Sequence, residues 1–459
     1  MSGRVESRVR VLALMAADAL CMVAVWAFVV WAYRAVGLGY YKFGAEFYLR
    51  LWPAAFVFIA CNALFRLDHG NVLYPAAPVS PVEELRRLVC SAALTHVGVL
   101  AYLALAYQTT EHYSRAVIVL SGLGVAALAQ SVRDLMRIAL RRLDVAQIPV
   151  ALVGAPAATA RLAAALAHDA YTGFRVVRAF APADPDVVSA SRAQGVHVLI
   201  VCQDDALFRA RRAEFSAWFS HIEFMPNAET FPVYGAQPVA FDGICGIETV
   251  NQRRMGALRI EKTLLDRVLA VCAFLALLPF FVVVPVLIKL TSRGPVFYRQ
   301  TRLGRNGAPI RVWKFRSMYV DADARLERLL AEDPARRAEW NANFKLADDP
   351  RVTPLGRFLR KTSIDEFPQL FNVFAGDMAL VGPRPIVADE VPLYGDAYAT
   401  FASVEPGITG LWQASGRSDT DYAHRVALDI YYVLNWSPWL DLWIMKKTVS
   451  AVLCMRGAR

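Results

Sequence analysis

Long apolar runs flanked by arginines alternate along this chain with stretches of mixed polarity, and that alternation divides it into parts. Four runs fall in the first third: Val11–Tyr33, Phe47–Phe65, Leu88–Tyr107 and Ala116–Gln130. Read as helices, they predict a four-helix membrane region over residues 1–145. Arg4, Arg8 and Arg10 precede the first run, Arg66, Arg86 and Arg87 separate the second from the third, and Arg133, Arg137, Arg141 and Arg142 follow the fourth. The other two loops carry few cations, so both ends of the region are expected on the cytoplasmic side. Asp18 is expected to face other helices or lie toward an end. With almost no other charge inside the runs and no internal repeat, the region reads as an anchor or dimerisation element, and a homodimer is expected.

From Ile148 the pattern shortens. PVALVG, FRVVRAF and VHVLIVC read as strands, HIEFMP as a further one, and Ala157–Ala167 as a helix. This predicts a Rossmann-like α/β domain over residues 146–250, of parallel type and structural or regulatory in role. Its first turn, Gly154-Ala155-Pro156-Ala157-Ala158-Thr159, lacks two glycines of a dinucleotide fingerprint, and Pro156 removes an amide that could have met a phosphate.

A fifth apolar stretch, Leu264–Leu290, is long enough to span but holds Pro279 and Pro285. Lys262 and Arg267 precede it, and Lys289, Arg293, Arg299 and Arg302 follow. Cations at both ends favour a segment that enters one leaflet, bends near Pro279 and returns to the same face, a re-entrant helix over residues 260–292. Residues 293–459 then form an α+β domain on the cytoplasmic face. Pro295–Gln300 and Ile310–Met318 read as strands, the second placing Lys314 and Arg316 on one face as a phosphate clamp. Thr353-Pro354 opens a short helix carrying Arg357, Arg360 and Lys361. A helix beginning near Phe367–Pro368 is expected to leave Asp365 and Glu366 just ahead of its N-terminus. The final run, with Trp436, Trp439 and Trp443, suits an aromatic helix at headgroup level, with a core helix as the competing reading.

Composition supports a membrane assignment. Of 459 residues, 56% are hydrophobic and mean hydropathy is +0.35, too apolar for an ordinary soluble enzyme. The net charge of +10 comes with arginines beside apolar runs, which fits lipid headgroups and phosphate substrates better than nucleic acid. The seven cysteines are scattered without a CxxC and histidines are few, so zinc is not expected.

Chemistry concentrates between Asp349 and Pro385. Arg351, Arg357, Arg360, Lys361 and Arg384 can neutralise phosphates, Asp365 or Glu366 can act as nucleophile, base or metal ligand, and Gly382-Pro383-Arg384-Pro385 is a rigid corner that aims Arg384. Together with GPVFYRQTRLGRNG (294–307), VWKFRSM (312–318), EPGITGLWQASGR (405–417) and LDIYYVLNWSPWLDL (428–442), this stretch resembles the bacterial sugar transferases that act as polyprenyl-phosphate hexose-1-phosphate transferases. The match covers about the last 200 residues in the family's order. It departs at Phe367, Asp377, Ala379 and Glu405, the last putting an acid where the family often has a cation.

The resemblance implies transfer of a hexose 1-phosphate, galactose or glucose, from a UDP-hexose to undecaprenyl phosphate in the inner membrane. UMP is released, as the first membrane step of exopolysaccharide, capsule or O-antigen synthesis. On that basis Asp365 is expected to be the nucleophile, with Glu366 beside it as metal ligand or proton carrier. Mg²⁺ is expected on Asp365 and Glu366, with Mg²⁺ and the local cations keeping Asp365 ionised. Lys314, Arg316 and Arg384 are expected to hold phosphate, with Arg417 and Asp429 as further site residues. The ending SGRSDTDYAHRV resembles galactose-type members. The competing expectation is a non-catalytic membrane scaffold of a polysaccharide assembly complex.

Overall fold

The structure is a computed structural model that describes residues 3–36, 45–65, 67, 70–71, 74–75, 80–107, 114–145, 147–168, 171–202, 205–225, 236–241, 244–249, 256–333, 336–337, 349–415 and 422–453. The chain divides into two compact units, Met1–Phe231 and Pro232–Arg459.

In the first unit, helices α1 (Gly3–Ala35), α4 (Pro81–Tyr107) and α5 (Arg115–Arg142) are each long and apolar enough to cross a bilayer. Between them lie the short helices α2 (Ala45–Leu49) and α3 (Ala54–Leu64). The second expected span is therefore corrected. The chain turns at Leu51–Pro53, Pro53 sits at the N-cap, and the 11 residues of α3 reach only ~16 Å, about half a hydrocarbon core. The fourth long apolar helix is instead Ile260–Thr291, in the second unit.

Cys21, Met22, Val25 and Trp26 of α1 pack on Phe58, Leu88, Leu103, Ile118 and Val125. Leu20, Phe28, Trp31, Val97, Leu105 and Leu123 point outward and are exposed, the arrangement of helices solvated by lipid. The expectation of little internal charge fails here. Arg133 donates through Nε to Asp18 Oδ1 (2.8 Å) and through Nη1 to Glu84 Oε1 (3.2 Å), and Arg137 donates to Glu84 Oε2 (2.9 Å). Asn62 adds a bond to Asp18 (2.8 Å). All four charged side chains are buried, which is tolerable because two carboxylates meet two guanidinium groups. Sequence reading placed Arg133 and Arg137 after the last apolar run, whereas α5 continues to Arg142 and turns both inward.

The α/β part of this unit carries β1 (Ile148–Gly154), α6 (Pro156–His168), β2 (Phe174–Phe180), α7 (Val187–Ala193), β3 (Val198–Cys202), α8 (Asp205–Ser216) and β4 (His221–Met225). The four strands form one parallel sheet in the order β2-β1-β3-β4. The two central strands are buried along their whole length, as strands covered on both faces require. Tyr171 ties this part to the bundle: its hydroxyl donates to Glu84 (3.0 Å), its ring lies under Arg137 (4.2 Å), and its carbonyl accepts from Arg10 (2.8 Å).

The second unit opens with an antiparallel pair, β5 (Ala236–Phe241) and β6 (Ile244–Thr249). Helix α9 (Gly256–Thr291) follows and runs through Pro279 and Pro285 as one element. Its buried positions are Lys262, Asp266, Ala270, Val284 and Ile288, with Phe274 and Phe281 half-buried between them: a single narrow stripe. Leu264, Val268, Val271, Leu275, Val282, Val283, Val286 and Leu290 are exposed around the rest. The stripe rests on the α+β part along its length. Phe274 meets Phe371 and Phe374, Phe281 meets Phe315 and Phe371, and Val284 and Ile288 join Phe315, Leu359 and Ile364.

Strands β7 (Phe297–Leu303) and β8 (Pro309–Phe315) form an antiparallel hairpin. Helices α10 (Ala322–Glu332) and α11 (Pro354–Lys361) follow, then a 3₁₀ turn (Ile364–Gln369) leading into α12 (Leu370–Ala375). Strands β9 (Ala379–Val381) and β10 (Gly407–Thr409) pair in parallel, and α13 (Leu411–Ser415), α14 (Tyr422–Leu434) and α15 (Pro438–Leu453) close the unit. Trp436 is buried, so at that tryptophan the core reading holds, while Trp439 and Trp443 remain partly exposed.

Candidate active site

Asp365 and Glu366 lie inside the 3₁₀ turn Ile364–Gln369, and the α-helix begins only at Leu370, not near Phe367–Pro368 as the sequence predicts. Ser363 turns the chain with a left-handed backbone (φ 58°), and its carbonyl accepts from the Glu366 amide (3.2 Å). Its side chain makes no cap bond, so the Ser363-x-x-Glu366 spacing is not a capping box. The tight turn buries Asp365 to 7% exposure and leaves Glu366 half-buried beside it.

The hairpin supplies the first cation. Lys314, on β8, places Nζ 2.7 Å from Glu366 Oε1. Asn372 of α12 fixes this strand against the turn: its Oδ1 accepts from the Trp313 amide (3.0 Å) and its Nδ2 donates to the Arg311 carbonyl (2.8 Å). Helix α11 supplies the second. Thr353 caps it by accepting from the Gly356 amide (2.9 Å), Pro354 occupies the first turn, and Arg360 projects toward Asp365 with Nε bonded to Ser317 Oγ (2.8 Å). Gly356 is required there, since any Cβ would strike the Ser317 carbonyl. The corner after β9 supplies the third, Arg384, with Pro383 and Pro385 buried on either side.

These groups pull the Asp365 carboxyl in opposite directions. Burial raises its pKa most, Lys314 lowers it, Glu366 raises it, and Arg360 and Arg384 lower it; the result is about 6. The protein's own cations thus do not cancel the burial penalty.

Arg316 is not beside Lys314. It follows the end of β8, and its Nη2 donates to the Ser292 carbonyl (2.9 Å) and hydroxyl (2.6 Å) at the end of α9. The expected two-cation clamp on one strand face is therefore not formed: Lys314 is taken by Glu366 and Arg316 by Ser292. Arg357 lies on the exposed face of α11. Asp429, on α14, is fully buried and accepts from the Tyr394 hydroxyl (2.9 Å); burial raises its pKa to about 7 against the pull of that bond, Arg425 and Arg384. Arg417 lies outside the described residues.

Sequence reasoning missed a second charged group next to the first. Glu390 accepts from Arg302 (3.5 Å), Arg425 (3.2 Å) and Tyr422 (3.1 Å), and Arg302 feels both Arg384 and Glu366. Arg302, Glu390 and the Tyr422–Arg425 pair come from three separate stretches, so no single motif brings them together. Also missed was a buried clasp: Lys262 of α9 donates to Asp266 (2.9 Å), Asp441 (2.7 Å) and the Val381 carbonyl (3.1 Å). Tyr432 and Trp436 also donate to Asp441 (2.8 and 2.9 Å). The clasp joins the membrane helix to the residue just before the Gly382–Pro385 corner.

Among the described residues no group of three or more His, Cys, Asp or Glu could hold a metal ion. Mg²⁺ is commonly held by one or two carboxylates with substrate phosphates and water completing the shell, and Asp365 with Glu366 fits that pattern.

A buried carboxylate ringed by three cations can receive a phosphoryl centre. Residues 257–455 match the family described as bacterial sugar transferase. The chain is 46% identical over 207 residues to the exopolysaccharide production protein ExoY of Sinorhizobium fredii, covering 44% of this chain and 92% of that one. It is 53% identical over 165 residues to the undecaprenyl-phosphate galactose phosphotransferase of Salmonella typhimurium, covering 36% of this chain and 35% of that one. With the UDP-glucose:undecaprenyl-phosphate glucose-1-phosphate transferase of Escherichia coli it shares 32% identity over 323 residues, 65% of this chain and 66% of that one.

Proposed function

The chain belongs to the bacterial sugar transferase family, and from that premise we propose that it moves a hexose 1-phosphate from a UDP-hexose to undecaprenyl phosphate. The observation that carries this reading is the buried Asp365 with Lys314, Arg360 and Arg384 acting on it.

In this reading an Asp365 carboxylate oxygen attacks the phosphorus that bears the hexose. A bond from that oxygen to phosphorus forms as the bond to the UMP oxygen breaks, and UMP leaves with the electron pair. Undecaprenyl phosphate then attacks the same phosphorus, freeing Asp365 and forming the lipid-linked diphospho-hexose. Dividing the transfer keeps two polyanionic substrates from having to meet. Lys314, Arg360 and Arg384 neutralise phosphoryl oxygens. Glu366, held by Lys314, is placed to take the proton of an incoming acceptor phosphate. Mg²⁺ bound by Asp365, Glu366 and the diphosphate would supply further charge neutralisation.

Helix α9 supplies the location. A polar domain lies against it from Lys262 to Ile288, and a helix so covered cannot cross a bilayer upright without drawing that domain into hydrocarbon. Entry into one leaflet with a bend at Pro279, and return to the same face, leaves the exposed apolar positions in lipid and Asp365 at headgroup level. The bundle in residues 1–145 acts as an anchor, the parallel-sheet part of residues 146–250 as a Rossmann-like structural or regulatory module, and the assembly as a homodimer in the inner membrane with its site on the cytoplasmic face.

The test is full-length protein in lipid nanodiscs with undecaprenyl phosphate and a panel of UDP-sugars, following UMP and lipid-linked product. UMP release with at least one UDP-hexose is expected. Absence of UMP with every donor would leave the scaffold reading in its place.

A further inference from the structure

Four buried polar atoms gather on two contacting helices beside the corner that carries Arg384. Trp412 Nε1 and Gln413 Oε1 on α13, and Arg425 Nε and Asp429 Oδ1 on α14, are each shielded and have no hydrogen-bond partner among the described residues. They are neighbours. The Arg425 guanidinium lies over the Trp412 ring at 4.8 Å and over the Tyr422 ring at 4.9 Å, and Arg425 and Asp429 are one helical turn apart. A Cβ at Gly410 would meet both Gln413 Oε1 and the Gly382 carbonyl, so Gln413 approaches the start of the Gly382–Pro385 corner across a glycine. Arg384 acts electrostatically on both Asp429 and Asp365, so this group lies one arginine away from the nucleophile.

Each such atom left unsatisfied costs about 1–3 kcal/mol, so a set of four in one place marks a surface shaped for a polar partner. The set contains two donors, Trp412 Nε1 and Arg425 Nε, and two acceptors, Gln413 Oε1 and Asp429 Oδ1. A phosphate brings only acceptors at neutral pH and would face Asp429 with like charge. Uracil offers one ring N–H for two acceptors. Hydroxyl groups both donate and accept, and a hexose carries several on adjacent carbons.

We propose that Trp412, Gln413, Arg425 and Asp429 form the subsite for the hexose hydroxyls of the donor, and that Gln413 and Trp412 help set which hexose is accepted. The proposal rests on the transferase reading and adds the part of the substrate that these residues hold. A site that hydrogen-bonds a hydroxyl discriminates against the epimer that misplaces it, because the protein atom is then left without a partner.

The test uses full-length protein in nanodiscs with Trp412→Phe, which removes only the indole N–H, and Gln413→Leu, which keeps the volume. Binding of UDP-galactose, UDP-glucose and UMP is measured by calorimetry, kcat and KM are measured with both donors, and melting temperatures confirm folding. We expect each variant to weaken the preferred UDP-hexose roughly tenfold, narrow the galactose–glucose preference and leave UMP affinity unchanged. Unchanged donor affinity and preference in both variants would overturn the proposal. A parallel loss of UMP affinity would also overturn it, by assigning the surface to the uracil ring. A wild type that binds UDP-hexose better than UMP yet releases no UMP would sink the transferase reading while leaving the hexose assignment standing.

Discussion

Replacing Lys262 with methionine tests how the membrane helix is joined to the site. Methionine keeps most of the stem and removes the ammonium group, which donates to Asp266, Asp441 and the Val381 carbonyl. Asp441, 1% exposed, keeps Tyr432 and Trp436 as donors; Asp266 loses its cation. Breaking a buried pair by removing one partner costs about 3–5 kcal/mol, and the remaining donors on Asp441 place this case near ~3 kcal/mol. Because Val381 directly precedes Gly382-Pro383-Arg384-Pro385, Arg384 should shift with it, and a misplacement of about 1 Å can cost ~100-fold in rate. Denaturant unfolding of full-length Lys262→Met in detergent, read by tryptophan fluorescence, should show the loss. The double variant Lys262→Met/Asp441→Asn should recover at least ~1 kcal/mol, because Asn brings no unpaired charge, its Oδ1 accepts from Trp436, and its amide group donates to the Tyr432 hydroxyl, which keeps the Val381 carbonyl as acceptor. Additive losses in the double variant would refute the clasp.

Other outcomes follow from the same geometry. Asp365→Asn should abolish UMP release while the protein stays folded; near-normal turnover would remove Asp365 as nucleophile. Since Asp365 has a pKa raised to about 6, and only its ionised form attacks, donor-dependent UMP release should fall as pH drops through about 6; a rate flat from pH 7 to 5 contradicts this. Chelation with EDTA should suppress turnover and added Mg²⁺ restore it, with full activity in EDTA as the contrary result. Gly356→Ala should destabilise the protein by about 1–3 kcal/mol, because a Cβ would push α11 off the Ser317 carbonyl, and an unchanged unfolding midpoint would oppose that.

What the sequence made legible was local. The strands of the α/β part, the helix after Thr353-Pro354 and the two hairpin strands follow from alternation and capping chemistry, and the structure places them close to where those signals lie. Asp365, Glu366, Lys314 and Arg384 were readable because three of them share one contiguous stretch and Lys314 sits in a short motif. The Ala54–Leu64 helix was over-read because hydropathy does not register the chain break at Leu51–Pro53. The buried Asp18–Arg133–Glu84–Arg137 network and the Lys262–Asp441 clasp were invisible, since each joins residues tens to more than a hundred positions apart. Glu390 and Arg425 were missed for the same reason. Only packing reveals that their charges meet.

The central claim is that the Asp365 carboxylate carries the hexose phosphate between donor and lipid. Rapid-quench mass spectrometry of the full-length protein given UDP-hexose without undecaprenyl phosphate tests it most directly. The account predicts one hexose-phosphate adduct on the peptide containing Asp365, formed with a stoichiometric burst of UMP and discharged when the lipid is added. Product formed at the normal rate, with no adduct on that peptide at any quench time, would contradict it.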